Sequence, residues 1–249
     1  MNLPEIEVAD TRVADVSARE RLIVALDVPD GPKALAMVQR LRNLVQWFKV
    51  GLELYLAEGN RIVEKVREQG YSVFLDLKLH DIPNTVAGAV RSVSAGGAGM
   101  LTVHAAGGPA MLAAAQEAAA AVAGGPKLLA VTVLTSMDAA QLAATGVCSS
   151  PGEQVLRLAE LAHEAGIRGL VASSQEVARL RAAHPDSALV IPGIRPAGAN
   201  AGDQKRVATP ASAIADGADY LVVGRPITQA ADPAAAAQAI LDEMEAAKR

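Results

Sequence analysis

Asp76 and Lys78 stand two residues apart in the apolar run VFLDLKL, and Asp81 follows three residues later. Side chains alternate along a strand, so Asp76 and Lys78 share one face and Asp81 does not. Other ionisable residues also fall late in short apolar runs. Asp27 ends LIVALDV, Lys49 lies inside WFKVGLEL, and Arg225 closes YLVVGR. A buried charge is costly unless paired, so a row of Asp and Lys on strand interiors is an improbable accident. Two readings fit it. One is an ion-pair network that only fixes packing; the other is a reaction centre built on an ammonium and a carboxylate. The second is favoured, because strand ends are where catalytic groups concentrate.

A second group suits an oxyanion. Arg195 follows one apolar run in PGIRP, and Gly224-Arg225 follows another. A glycine lets a backbone N–H approach an anion closely, and an arginine supplies a forked donor. Between Arg195 and Arg206 runs PAGANAGDQK, small and flexible. It reads as a lid that orders on a phosphate, or else as an ordinary surface loop.

Eight apolar runs carry these residues. They begin near Leu22, Trp47, Val73, Met100, Leu128, Gly169, Ala188 and Tyr220, with amphipathic stretches between them. One strand, one helix and two loops, counted eight times, predict a single-domain (β/α)8 barrel, an α/β fold. Leu35, Val38, Leu41 and Val45 fall on one helical face, as do Ile62, Val63 and Val66, and then Val86, Val90 and Val93. Gly70 and Gly166 are placed to end helices, while Thr209-Pro210 and Asp232-Pro233 read as N-cap plus first-turn proline. The Ala-rich tract at 234–237 is then the final barrel helix. The widest interval follows the fifth run and holds the polar stretch 135–153, a candidate wall of the site. Residues 1–20 read as a tail or leading helix over the barrel bottom, and 21–249 as the catalytic barrel.

At 249 residues, with 51% hydrophobic but only 2% aromatic residues, the core must be built from Val, Leu, Ile and Ala. That suits a parallel sheet buried on both faces. The formal net charge of −4 is interspersed, so the basic stripe of a nucleic-acid binder is missing. The single cysteine, Cys148, can form no internal disulfide, and no zinc spacing occurs. The first 19 residues hold Glu5, Glu7, Asp10 and Asp15 rather than an apolar signal core. No run approaches a membrane span, and a cytoplasmic location is expected. His80 and His104 show no metal spacing and read as packing or hydrogen-bonding residues. His80 is expected to point away from the Asp76–Lys78 face, Cys148 to be an unreactive loop thiol, and Glu53 to be a strand-end or cap charge.

The string from Asp76 to Thr85, DLKLHDIPNT, resembles the signature of the orotidine 5′-phosphate decarboxylase family. So do Asp27 in LIVALDV, Lys49 in FKVGLEL, Thr135-Ser136 in VLTSM, and the pair PGIRP and VVGRPIT. The resemblance touches six of the eight runs in order, from about Arg21 to Thr228, and the acidic N-terminal extension has no counterpart in it. It implies decarboxylation of orotidine 5′-phosphate to UMP without metal or organic cofactor. By the same resemblance Lys78 is the proton donor, with Asp76 beside the departing carboxylate. Lys49 and Asp81 complete an alternating Lys-Asp-Lys-Asp array. Asp81 and Thr85 would enter the neighbouring subunit's site, making a homodimer the working unit. Asp27 and Lys49 would hold the ribose hydroxyls, Ser136 the pyrimidine edge beside Thr135, and Arg195, Gly224 and Arg225 the phosphate. Gln204 would bridge phosphate and base.

Two rival readings remain at this stage. Metal-dependent sugar-phosphate decarboxylases and aldolases share the Asp-x-Lys-x-x-Asp string but place a carboxylate where this chain has Lys49, whose charge would repel a divalent metal. A non-catalytic phosphate-binding barrel would not need the costly Asp76–Lys78 pair.

Overall fold

The computed structural model describes residues 16–196 and 208–247. Eight parallel strands close into a barrel in sequence order. They are β1 (Leu22–Ala25), β2 (Trp47–Gly51), β3 (Ser72–Leu79) and β4 (Met100–His104), then β5 (Lys127–Val131), β6 (Gly169–Val171), β7 (Ala188–Ile191) and β8 (Tyr220–Val223). The ring closes where Leu22, Ile23 and Val24 register with Leu221, Val222 and Val223. Each run expected from the sequence is a strand, and no start is displaced by more than about one residue, within ordinary assignment scatter.

Helices fill the connections and form the outer layer. The first half holds α1 (Ala18–Arg21), α2 (Gly31–Arg40), α3 (Leu52–Glu58), α4 (Asn60–Glu68), α5 (Pro83–Gly96) and α6 (Gly108–Ala120). The second half holds α7 (Ala139–Ala144), α8 (Pro151–Glu164), α9 (Val177–Ala183), α10 (Pro210–Ala215), α11 (Arg225–Thr228) and α12 (Pro233–Ala246). Their ends follow local chemistry. Thr209 and Asp232 accept hydrogen bonds from first-turn amides ahead of Pro210 and Pro233. Gly70 and Gly166 take φ of 85° and 83°, left-handed turns that stop a helix where a side chain would strain the backbone. Val45, expected on the face of the first long helix, lies beyond its end but is buried all the same.

Two apolar layers result. Ile23, Phe74, Met100, Leu129, Val190 and Val222 pack inside the barrel, while neighbours such as Phe48, Val50, Leu75 and Leu101 pack outward against the helices. Alternation therefore turns Lys49, between Phe48 and Val50, into the barrel, and does the same for Asp76, two residues after Phe74. The interior is apolar at the strand starts and charged at the strand ends. At the bottom, α1 lies against α12, with the Ala18 amide donating to Glu245 (2.8 Å). The buried Arg21 donates to the carbonyls of Ala218 and Asp219. The earlier part of the expected N-terminal tail lies outside the described residues.

Candidate active site

Four charges line up across the first three strand ends. Lys49 Nζ lies 3.0 Å from Asp27 Oδ1 and 3.5 Å from Asp76 Oδ2, and Lys78 Nζ lies 2.8 Å from Asp76 Oδ1. Signs alternate along this row, so each inner charge is flanked by its opposite. The register produces it directly: Lys49 sits beside Ala25 and Phe74, and Gly51 beside Asp76. Gly51 has no side chain because one would crowd Lys49, its Cβ falling 3.0 Å from Nζ. Burial alone would raise the Asp76 carboxyl. Lys49, Lys78 and the hydrogen bonds from Lys78 and Thr102 outweigh that and hold it below the ordinary aspartate value. Asp76 is thus a carboxylate at neutral pH.

Plain strand alternation does not by itself deliver Lys78. Pairing between β3 and β4 runs through Phe74↔Met100 and Leu75↔Leu101, then resumes at Leu79↔Val103, so β3 carries extra residues in between. Lys78 lies in this bulge with φ 50°, a left-handed conformation costing about 1–2 kcal/mol for a residue with a side chain. Its amide leaves the ladder and donates to Thr102 Oγ1 at 2.8 Å. Bulges re-aim side chains beside active sites, and here one aims an ammonium. The expected shared face of Asp76 and Lys78 is real, but bulge geometry makes it. The pleat ends at Leu79, so it does not set the direction of His80. That exposed ring stacks on His104, with centroids 5.2 Å apart. Burial, then His80 and Lys78, hold His104 below its ordinary value.

Asp27, Lys49, Asp76 and Lys78 border a cavity of about 470 Å³. Thr135 and Ser136 enter it from the loop after β5, with Val131 and Val133 just before them. The rest of the stretch 135–153 forms α7 and the capped start of α8 rather than more of the wall. Across the barrel from β3, Arg195, Gly224 and Arg225 line the β7–β8 side. Arg225 does not end the eighth strand as the sequence suggested, but opens α11; Asp27 likewise lies two residues past β1. Arg195 is buried and donates from Nη1 to the carbonyl of Ile194 (2.8 Å). Burial, then the neighbouring Arg225, pulls its guanidinium below the ordinary value. Two adjacent cations opening on one cavity are a receptor for an anion. The Arg195 amide also donates to the Ala208 carbonyl (2.9 Å), and Ile194 bridges Ala208, so the exit of β7 and the chain leading into α10 run side by side. Gln204 and the expected lid fall outside the described residues.

Asp27, Lys49, Asp76, Lys78, Thr135, Ser136, Arg195, Gly224 and Arg225 are therefore brought to one cavity, whereas Asp81 and Thr85 are not. Both are exposed beyond β3, where Asp81 Oδ1 accepts the Ile82 amide (2.6 Å). Cys148 is exposed in its loop, and Glu53 sits in the first turn of α3. Sequence reasoning missed Thr102, Phe74 and Gln229. Thr102 was detectable as the one hydroxyl inside the apolar run MLTV; Gln229, past the end of α11, carried no signal.

The model of the Orotidine 5′-phosphate decarboxylase / HUMPS family matches residues 20–240. Orotidine 5′-phosphate decarboxylase of Moorella thermoacetica is 52% identical over 238 residues, covering 93% of this chain and 94% of that one. The enzyme of the same name from Anaeromyxobacter sp. (strain K) is 55% identical over 222 residues, 89% of this chain and 96% of its own. Among solved structures, orotidine 5′-phosphate decarboxylase from Lactobacillus acidophilus superposes with a TM-score of 0.80 at 39% identity. That match covers 90% of this chain and 99% of the other.

Proposed function

Because this chain belongs to the orotidine 5′-phosphate decarboxylase / HUMPS family, we infer from its cavity how it turns orotidine 5′-phosphate into UMP and CO2. The reaction is the last step of de novo pyrimidine nucleotide biosynthesis. The observation that carries the reading is the pairing of an alternating charge row on β1–β3 with two arginines on β7–β8, across one cavity.

Breaking the C6–carboxylate bond leaves its electron pair on C6 in an orbital in the ring plane, orthogonal to the ring π system, which therefore cannot spread it. Electrostatic stabilisation by fixed charges is then the main resource. Lys78 supplies it, first as a positive charge facing the developing carbanion, then as the acid that gives C6 its proton. CO2 departs, UMP remains, and the neutral amine regains a proton from solvent. Asp76, 2.8 Å from the Lys78 ammonium, orients it and lies beside the departing carboxylate. Asp27 and Lys49 stand between that end and the arginines, the place of the ribose hydroxyls. Arg195, Arg225 and the Gly224 amide take the phosphate, with Gln204 bridging to the base that Ser136 and Thr135 face. The barrel leaves room for a side chain at Gly224, where a Cβ would make only ordinary contacts. The space beside the Gly224 backbone is thus open for close approach of the phosphate.

We further propose a homodimer in which Asp81 and Thr85 complete the partner's site. Both are exposed, Asp81 is followed by exposed Ile82 after β3, and α3, which follows β2, carries exposed Leu52 and Leu56. Residues 1–20 are taken as an appendage to the catalytic barrel 21–249. Among the described residues no helix is long and apolar enough to cross a membrane, in keeping with a cytoplasmic enzyme.

Following the loss of substrate absorbance in excess EDTA tests the whole reading. Turnover is expected to persist. Loss of activity restored by Mg2+ would instead place the chain with the metal-dependent sugar-phosphate enzymes. Binding without turnover would leave only a phosphate-binding barrel.

A further inference from the structure

Thr102 is fully buried on β4, between Leu101 and Val103, which face the helices. Alternation turns its side chain into the barrel. There it stands opposite the β3 bulge, on the one stretch of β4 where the β3 ladder skips. An amide can only donate, so Thr102 Oγ1 accepts from the Lys78 N–H at 2.8 Å. Its own proton is then directed to Asp76 Oδ1, 3.0 Å away. That same oxygen accepts from Lys78 Nζ at 2.8 Å. One hydroxyl therefore closes a ring joining the left-handed backbone of Lys78, the Asp76 carboxylate and the Lys78 ammonium.

We propose that Thr102 is a positioning residue for the decarboxylation, holding the Lys78 turn and the Asp76 carboxylate as one unit so that the ammonium is presented at C6. The proposal rests on the functional reading above. Thr102 touches no reacting atom; it acts through its two partners. Without the hydroxyl, the Lys78 amide loses the acceptor that compensates its place outside the ladder, and the strained turn can relax. The ammonium then moves with it. A displacement of about 1 Å at a reacting group can cost roughly a hundredfold in rate. The effect falls on the chemical step, because the sugar and phosphate contacts lie elsewhere in the cavity.

Thr102→Val keeps the shape and removes the hydroxyl; Thr102→Ser keeps the hydroxyl. For Thr102→Val, kcat should fall by about ten- to a hundredfold with KM nearly unchanged, and Ser should recover most of the loss. The acid limb of the kcat profile should also move to higher pH, because the Asp76 carboxylate loses a donor. The other groups facing Asp76 are unchanged: Lys49 from β2, Lys78 from β3, and Asp27 behind Lys49, with His104 beyond Lys78. A merely structural threonine would lower Tm in the Val variant and leave both kcat and the acid limb in place, which would overturn the proposal. So would a Ser variant as impaired as Val. If the parent enzyme fails to decarboxylate orotidine 5′-phosphate, the functional reading falls instead. Carbon-13 titration of the Asp76 carboxyl, assigned by its loss in Asp76→Asn, then decides the positional claim without turnover. An upward move in Thr102→Val sustains it, and an unmoved midpoint refutes it.

Discussion

Lys78 combines two expensive features, a partly buried ammonium and a left-handed backbone. Neither is needed to close a barrel, and strain of this kind collects at functional sites. Lys78→Ala is expected to cut turnover by at least about 10⁴-fold, losing charge stabilisation and proton donation together. Binding of UMP, measured by calorimetry, should survive, since the transition state alone uses the ammonium fully. Near-normal turnover would remove Lys78 from its role. Asp76 gives a prediction with a sign. Its carboxyl is held below the ordinary value in the folded state, so the unfolded chain binds the proton more readily. The stability it contributes is complete above the unfolded pKa of roughly 4 and is lost as pH falls through the lower folded value. Asp76→Asn should therefore be less stable than the parent at pH 7, by about 3 kcal/mol if Lys78 is left uncompensated while Lys49 keeps Asp27. In urea unfolding that gap should narrow as the medium is acidified below pH about 4. A gap that widened in acid would contradict the assignment of the anion to Asp76.

Strands announce themselves by apolar runs, and loops only by what they interrupt. That contrast explains which parts of the site could be read from the chain alone. The eight runs became eight strands because buried parallel strands need continuous Val, Leu, Ile and Ala. Asp27, Lys49, Asp76 and Lys78 were visible as charges that such runs do not tolerate without cause. The bulge at Lys78 was not visible, since a left-handed lysine has no sequence mark of the kind glycine leaves. Gln229 was missed for a related reason: a polar residue after a short helix looks like any other surface residue. The β7–β8 side of the cavity was legible because glycine and arginine stand out there for distinct reasons, close approach and forked donation. Arg225 opens α11 and shares the cavity with Arg195. Arg225→Ala is expected to lower kcat/KM for orotidine 5′-phosphate by about 10²-fold or more, the loss of a charge-assisted pair. For the nucleoside lacking phosphate the same change should have little effect, because remote contacts act only through the group they bind. Equal losses on both substrates would place Arg225 elsewhere in the mechanism.

The closed order of the barrel places β3 and β7 across from each other, so one nucleotide can span the charge row and the arginine pair. The same closure leaves Asp81 and Thr85 outside, on either side of the proline that opens α5. A single chain therefore offers the row Asp27–Lys49–Asp76–Lys78 and stops there. If a second chain supplies the fourth member of the Lys-Asp-Lys-Asp array, two defective chains should repair each other. Take Lys78→Ala and Asp81→Ala, each strongly impaired alone, and let their subunits exchange. In a mixed dimer, the site built on the Lys78→Ala chain receives both lesions. The site built on the Asp81→Ala chain keeps its own Lys78 and receives Asp81 from its partner. With random exchange about half of the dimers are mixed and each holds one intact site, so activity should climb to about one quarter of the parent's. Native mass spectrometry of the mixture verifies that exchange has occurred. Verified mixed dimers without activity would show that Asp81 serves the barrel that carries it, or no site at all. Recovery near one quarter would mean that neither barrel is a complete catalyst alone, and that the exposed end of β3 around Asp81 and Ile82 meets the partner in the working enzyme.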